Sequence, residues 1–543
     1  MRNGVRGLAA LMAATVIASF AFPVQAKPLM GHYADDCSYG GEIKSIEAVD
    51  ASTVKFTFCY ADPAFPAKAA FSAFGIHSAD QLNATGGGGD ELLSNPIGTG
   101  PYMLEKWDRG NELVLKANPN YWGDAPLEPQ VIFKWNSEAA ARWNELQAGT
   151  VDGIDNPAPG DFTVIEGNSD FKLYPREATN VFYLGLNNTK PPFDNVKVRQ
   201  AIAYGIDKQR IVDNFYPPAS TVANQFMPAS IFGYTPDAKV IPYDVEMAKK
   251  LLAESGVELP IKTTISYRDV VRGYLPQPGV VAQDLQAQLK EIGIELEINV
   301  VESGAFLDGA SKGEYPMFML GWGADYPDAT NFLDYHFGEG ANDSFGAKDP
   351  KLTELLKQAA QLSDADARLK LYKQANDEIA DFVPMVPIAN GGSADAFKAT
   401  IKGAYAGSPA GEQFRVMEDP ADDNIIWMQN AEPISLYCAD ETDGETLRAC
   451  EQVNESLLGY KLGSGEVVPG LASEWSANAD LTEWTFKLRD AKFSDGSTLD
   501  AEDVVTSWVA QWDAASPLHK GRTGTFDYFS ALFGGFLNAP PKS

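Results

Sequence analysis

The chain is poor in the residues most enzymes depend on. Its four histidines, His32, His77, His336 and His519, stand singly, and no H-E-x-x-H or paired His/Cys spacing marks a zinc centre. The glycine run Gly86 to Gly89 has no Gly-Lys-Ser/Thr behind it, so it is not a phosphate-binding loop, and no G-x-S-x-G elbow presents a serine nucleophile. Basic residues are outnumbered, 43 Lys and Arg against 74 Asp and Glu, for a formal net charge of −31. Such a surface releases no counterions from nucleic acid and is repelled by anionic membrane, so both are poor partners. Carboxylate pairs occur throughout so acidic a chain and single out no acid/base couple. No cofactor is called for, and no catalysis.

Long apolar runs are also missing beyond the first residues; none reaches the roughly 18 residues that a membrane helix needs. The opening has another pattern. Arg2 and Arg6 precede an apolar stretch from Leu8 to Phe22, and Val24-Gln25-Ala26 follows as a small-x-small site, the layout of a cleavable secretory signal over residues 1–26. The mature chain is then expected to start near Lys27. The first cysteine is Cys37, not a residue at the cleavage point, so a free periplasmic protein is expected rather than a lipid-anchored one. Four cysteines, Cys37, Cys59, Cys438 and Cys450, form an even set that an oxidising compartment would join as two disulfides, with three pairings open. A Cys438–Cys450 bridge would pin a loop to the helix announced by Asp440-Glu441-Thr442-Asp443-Gly444. A Cys37–Cys59 bridge would tie the N-terminal segment to a strand.

At 543 residues the chain exceeds one hydrophobic core, so two or three domains are expected. Period-two alternation at Val54 to Phe58 and Trp484 to Leu488 predicts half-buried strands, the second followed by a turn at Asp495-Gly496. Helical spacing covers Val198 to Val212, Val245 to Ala253 before Gly256, Val280 to Ile292 before Gly293, and Leu352 to Leu362. Interleaved strands and helices give an α/β class with mixed sheets. No internal repeat stands out.

Several stretches carry a resemblance. Pro96-Ile97-Gly98-Thr99-Gly100-Pro101-Tyr102 with Leu104-Glu105-Lys106-Trp107, Asn118-Pro119-Asn120-Tyr121-Trp122, and Pro191-Pro192-Phe193-Asp194-Asn195-Val196-Lys197-Val198-Arg199-Gln200-Ala201-Ile202 are similar to motifs of the family 5 extracytoplasmic solute-binding proteins. So are Glu466 to Ala472, Trp484-Thr485-Phe486 and Phe493-Ser494-Asp495-Gly496. The resemblance implies a two-lobed periplasmic binding protein (type II, cluster C) with an extra small α/β domain. It also implies a ligand held between hinged lobes and delivered to an ABC permease in the inner membrane. Members bind oligopeptides, dipeptides, nickel complexes or oligosaccharides; peptides are expected here, with a monomer as the binding unit. A nickel-complex or oligosaccharide binder, or a peptide-holding protein without a transporter, is the alternative.

The motif order departs from the family. The 466–504 block ordinarily precedes the strand that here lies at 49–58, so the sequence looks circularly permuted. Permutation keeps packed contacts when the old ends lie close and the new break is exposed. Residues 35–45 should then lie near 530–540; a separation beyond about 30 Å, the scale of a small domain, would contradict it. The expected partition is 97–222 with 385–445 as lobe I, 223–384 as lobe II, and 446–543 with 27–96 as the appended domain.

For the site, the resemblance points to Gly321-Trp322-Gly323-Ala324-Asp325-Tyr326-Pro327-Asp328. In peptide-binding members an aspartate here receives the ligand's α-ammonium, beside a tryptophan; Asp325 and Trp322 match, with Tyr326 adjoining. A carboxylate suits an ammonium once closure removes water, and leaves an uncharged terminus unrewarded. On spacing alone Asp325 is a turn residue and Asp328 the cap of a helix from Ala329. Arg272, with Arg268 as its competitor, falls in the segment that sends an arginine to the ligand carboxylate in dipeptide-binding members, a contact suited to its planar fork. Met319 stands where some oligopeptide binders carry a second cation. Tyr437, in a segment that usually flanks the cleft, and Tyr183 and Asn187 complete the candidates.

Overall fold

The strand Thr53–Phe58 follows its pattern: Val54, Phe56 and Phe58 are buried while the intervening residues are half-exposed. Its neighbours come from both ends of the sequence. In this computed structural model, which describes residues 29–540 apart from 271 and 409–410, it pairs antiparallel with Ile43–Asp50 on one side and Glu483–Leu488 on the other, Trp484 opposite Phe56 and Phe486 opposite Val54. Met30–Tyr33 and Ala472–Ala477 complete a five-stranded sheet. The helix Ala501–Trp512, started by a reciprocal Asp500/Asp503 capping box, buries Val504, Val505, Trp508 and Trp512. Trp508 stacks on Phe74 at 5.0 Å and meets Phe56 edge-on at 4.9 Å, so aromatic packing dominates this core. The Cys37–Cys59 disulfide fastens the N-terminal segment to it, and the Glu42 amide donates to the Phe533 carbonyl at 2.8 Å. The signal-sequence reading lies outside the described residues.

A seven-stranded sheet runs in the order Tyr102–Asp108, Glu112–Ala117, Gln130–Trp135, Asn424–Gln429, Gly153–Asp155, Ser393–Lys398, Phe171–Arg176. A six-stranded sheet runs Thr221–Val222, Met385–Asn390, Asn180–Leu186, Met317–Gly323, Ile261–Tyr267, Ile294–Val300. Its last two strands are parallel, joined by the crossover helix Pro278–Glu291. The helix expected over Val198 to Val212 is two, Val196–Gly205 and Lys208–Phe215, because Asp207 caps a new start by accepting from the Arg210 amide. The helix Val245–Ser255 ends at a left-handed Gly256, as a C-terminal glycine should.

The chain passes between these two sheets at residues 177–179 and 391–392, not near 222 and 385. Asn180–Leu186 pairs with Met385–Asn390 on one side and with Met317–Gly323 on the other, and this non-local pairing moves both Asn180–Leu186 and Met385–Asn390, with the helices packed on them, to the second sheet. The crossings are tied together. Asn180 Nδ2 donates to the Gly391 carbonyl at 2.8 Å, and the Gly391 amide returns a bond to Asn180 Oδ1 at 2.8 Å. A Cβ on Gly391 would lie 1.9 Å from the Gly273 carbonyl oxygen, so only glycine allows this approach. At the root, Arg176 contacts Asp155, Asp395 and Glu412 at 3.1, 2.7 and 2.9 Å, and Arg448 joins Asp155 and Glu412.

Candidate ligand cleft

The strand Met317–Gly323 delivers Trp322 to the end of the six-stranded sheet, and the Ala324 amide donates to Thr179 O at 2.7 Å, holding the strand end against a crossing segment. The following turn is organised by Asn331. Its Oδ1 accepts from the Asp325 amide at 3.0 Å and from Trp322 Nε1 at 3.2 Å, and its Nδ2 donates to Asp325 Oδ2 at 2.9 Å. Trp322 stacks on Tyr335 with centroids 4.5 Å apart and meets His336 edge-on. Asp325 is half-buried. Burial pushes its carboxyl above the ordinary value and the Asn331 bond only partly offsets that. Among the described residues no basic side chain lies within ion-pair distance of it.

Close enough to sense the Asp325 charge is Tyr528, on the helix Asp527–Phe533. Burial, then the charges of Asp325 and Asp443, push its phenol up to about 12. Tyr528 meets Phe71 edge-on at 4.7 Å, and both rings pack on the cluster formed by Leu447 and the Cys438–Cys450 disulfide. Asp443 caps the helix Gly444–Val453 through the Thr446 amide, while its Oδ2 is buried without a partner. Trp322, Tyr335, Asp325 and Asn331 thus form one candidate surface, and Tyr528 with Phe71 a second one close enough for its phenol to sense the Asp325 charge. Beside the Asp325 turn lies a half-open hollow of about 570 Å³, with Ala67, Glu177, Phe232, Pro327 and Arg368 in its lining.

The other sequence candidates fall elsewhere. Asp328, expected to cap a helix from Ala329, accepts from the Thr330 amide and is also gripped by Arg368 at 2.8 and 3.0 Å. Tyr326 points away from Asp325 into the aromatic core of the five-stranded unit. Tyr437 is buried with its ring 4.6 Å from His77, and it lines no open wall. Asn187 is buried beyond the end of its strand, away from the crossings, donating to Gly313 O and accepting from Thr189; it shapes a turn, because an Asx side chain satisfies nearby backbone. Tyr183 is likewise a core residue, and Met319 is buried among apolar side chains. Arg268 donates to Ser303 Oγ at 3.0 Å and to the Tyr274 hydroxyl at 3.1 Å. The Tyr274 ring covers Gly321, on the strand face opposite Trp322. Arg272 is exposed in a tight turn with Leu275. Asn331, Tyr335, Phe71 and Tyr528 escaped the sequence reading. Asn331 and Tyr335 lie about two and three helical turns beyond Asp325 and were open to helical spacing, whereas nothing local links Phe71 or Tyr528 to it.

The model of the bacterial extracellular solute-binding proteins, family 5 Middle, matches residues 9–344 and 466–525. Heme-binding protein A of Haemophilus influenzae is 32% identical over 375 residues, 68% of each chain. Di/tripeptide-binding protein 3 of Pseudomonas aeruginosa is 32% identical over 372 residues, 67% of this chain and 70% of that one. Among solved structures, HbpA2 from Haemophilus parasuis superposes with a TM-score of 0.64 at 33% identity, covering 67% of this chain and 72% of that one. DppA from Helicobacter pylori, in complex with the peptide STSA, gives 0.52 at 28% identity with the same coverage. With its paired lobes, its cleft between them and a family match over most of its length, this chain belongs to the family 5 bacterial extracellular solute-binding proteins.

Proposed function

We propose that the chain is the periplasmic binding component of a bacterial ABC importer, exported by a cleavable signal, acting as a monomer and capturing di- or oligopeptides between its lobes. The observation that carries this is Asp325: a half-buried carboxylate with an amide partner and, among the described residues, no cation at ion-pair distance, beside the Trp322 and Tyr335 rings. A ligand's α-ammonium supplies the missing charge, and the bond strengthens as water leaves. Relatives named as di- and tripeptide-binding proteins support the same ligand class. The crossings at 177–179 and 391–392 serve as the hinge, and the closed form docks on the permease. Nothing in this scheme needs catalysis; the ligand is bound and released unchanged. Arg268 and Arg272 are the candidate partners of the ligand carboxylate.

The departure in motif order fits a circular permutation. Residues 35–39 and 536–539 border one surface hollow, and Glu42 bonds Phe533, well inside the distance that would contradict it. In this reading the domain that joins 446–543 with 27–96 is the family's appended domain.

The test is mass spectrometry of whatever co-purifies with the exported protein, followed by calorimetry against a dipeptide and tripeptide library. Hemin runs alongside, because the Haemophilus influenzae relative is named as heme-binding. Peptide binding that requires a free amino terminus supports the proposal; tight hemin or sugar binding with no peptide response refutes it.

A further inference from the structure

Tyr326 belongs by sequence to the six-stranded lobe, yet its ring is only 7% exposed and is packed in the core of the five-stranded unit. The ring lies 5.6 Å from Lys68 Nζ. Lys68 is itself fixed: Glu42 and Asp62 each approach its ammonium at 3.0 Å, it donates to Leu532 O at 2.9 Å, and the Phe533 ring lies 5.0 Å away. Burial alone would lower the Lys68 pKa, but Asp62, Glu42 and Tyr326 more than offset it, so the ammonium keeps its charge. A buried cation facing an aromatic ring gains most when water is excluded, as here.

The approach is prepared on both sides. Pro327 packs so closely on Gly465 that a Cβ there would come within 2.9 Å of the proline Cβ. On its own lobe the turn is braced at each end, by Asn331 holding Asp325 and by Arg368 holding Asp328, while Thr330 Oγ1 donates to the Tyr326 hydroxyl at 3.2 Å. A turn so braced moves as one piece with its lobe. Asp325 and Tyr326 are consecutive residues that face different environments, the first the ligand gap and the second a socket in the opposite half.

We propose that Tyr326 is an interlobe latch, a positioning residue whose ring seats on Lys68 when the lobes close and so presents the neighbouring Asp325 carboxylate to the ligand. The proposal rests on the reading of this chain as a hinged binding protein. With the lobes apart the ring has no socket, so seating the latch and completing the ligand site are one event. The ring face carries the effect, not the hydroxyl, which stays with Thr330.

The experiment compares wild type with Tyr326→Phe, Tyr326→Leu and Tyr326→Ala, first without ligand. Hydrogen–deuterium exchange should accelerate about tenfold at residues 64–70 in the Ala and Leu variants, the scale of one desolvated cation–ring contact. The Phe variant should match wild type, and Asn180–Leu186 should be unchanged in all. Small-angle scattering should give a larger radius of gyration for Tyr326→Ala. In a second arm with Ala-Ala and Ala-Ala-Ala, Tyr326→Ala should weaken binding about tenfold, mainly through faster dissociation. Identical exchange and scattering in wild type and Tyr326→Ala overturns the latch, and Leu performing as well as Phe overturns the cation–ring basis. A wild-type protein that ignores both peptides counts against the peptide reading, and the ligand-free arm still decides the latch.

Discussion

Replacing Asp325 with Asn separates ligand recognition from folding, because the two should move in opposite directions. An asparagine keeps an oxygen to accept from Asn331 Nδ2, so the turn survives. What it loses is the charge. A hydrogen bond to a charged group contributes about 1.5–3 kcal/mol net, so affinity for a peptide with a free amino terminus should fall about 10- to 150-fold. Folding should respond the other way. Burial raises the Asp325 carboxyl above its unfolded value, so the native state holds its proton more tightly and stability from this group declines as pH rises through that window. The variant escapes the penalty, and its ligand-free melting temperature at neutral pH should equal or exceed that of wild type. Ligand binding reverses the shift: an ammonium favours the carboxylate, so affinity should weaken as pH falls through the Asp325 pKa and binding there should release protons. Calorimetry in buffers of different ionisation heat measures that release. An N-acetylated peptide is the control, since acetylation should cost wild type the full factor and the Asn variant little. Equal affinity of both proteins, or an equal acetylation penalty in both, refutes the assignment.

Asp334 is buried with its Oδ2 unpartnered, and burial, assisted by the charge of Asp328, pushes its carboxyl up to about 8. Asp334→Asn should match wild type near pH 4, gain on it by up to about 1.4 kcal/mol per pH unit until about pH 8, and hold that lead above; thermal melts across pH check this. Gly391→Ala drives a methyl into the Gly273 backbone and should cost about 1–3 kcal/mol with a shift toward open conformations in scattering, whereas Gly323→Ala meets nothing within 4 Å and should stay within about 0.5 kcal/mol of wild type. Replacing both Cys438 and Cys450 with serine frees a short loop, with a sequence separation of 12. It should lower stability by about 2–3 kcal/mol in denaturant titrations and weaken peptide binding, because Tyr528 and Phe71 lose their backing.

Local patterns carried far. The alternation at Thr53–Phe58 and Glu483–Leu488 marked both strands, and glycines closed helices where their backbone freedom is used. Sequence did not reveal that these two strands are neighbours, nor that Asn180–Leu186 belongs to the second sheet, because pairing across hundreds of residues leaves no local trace. The site was half legible. Trp322 and Asp325 sit in one short motif, whereas Tyr528 reaches Asp325 only through the fold. Tyr437 and Asn187 were misleading for a physical reason: a position near a cleft in a family does not fix which way a side chain turns, and in this chain both are buried, Tyr437 against His77 and Asn187 in a turn it bonds.

The central place of Thr53–Phe58 in its sheet bears on how the protein is made. A ribosome or an export channel releases this strand early, and its partner Glu483–Leu488 only near the end. Until then the hairpin with Ile43–Asp50 has a raw edge, a template for intermolecular pairing, and its face of Val54, Phe56 and Phe58 has only early neighbours such as Phe65 to cover it. Nascent chains stalled before residue 483 should therefore be the species that clump, which pelleting of truncated chains would show.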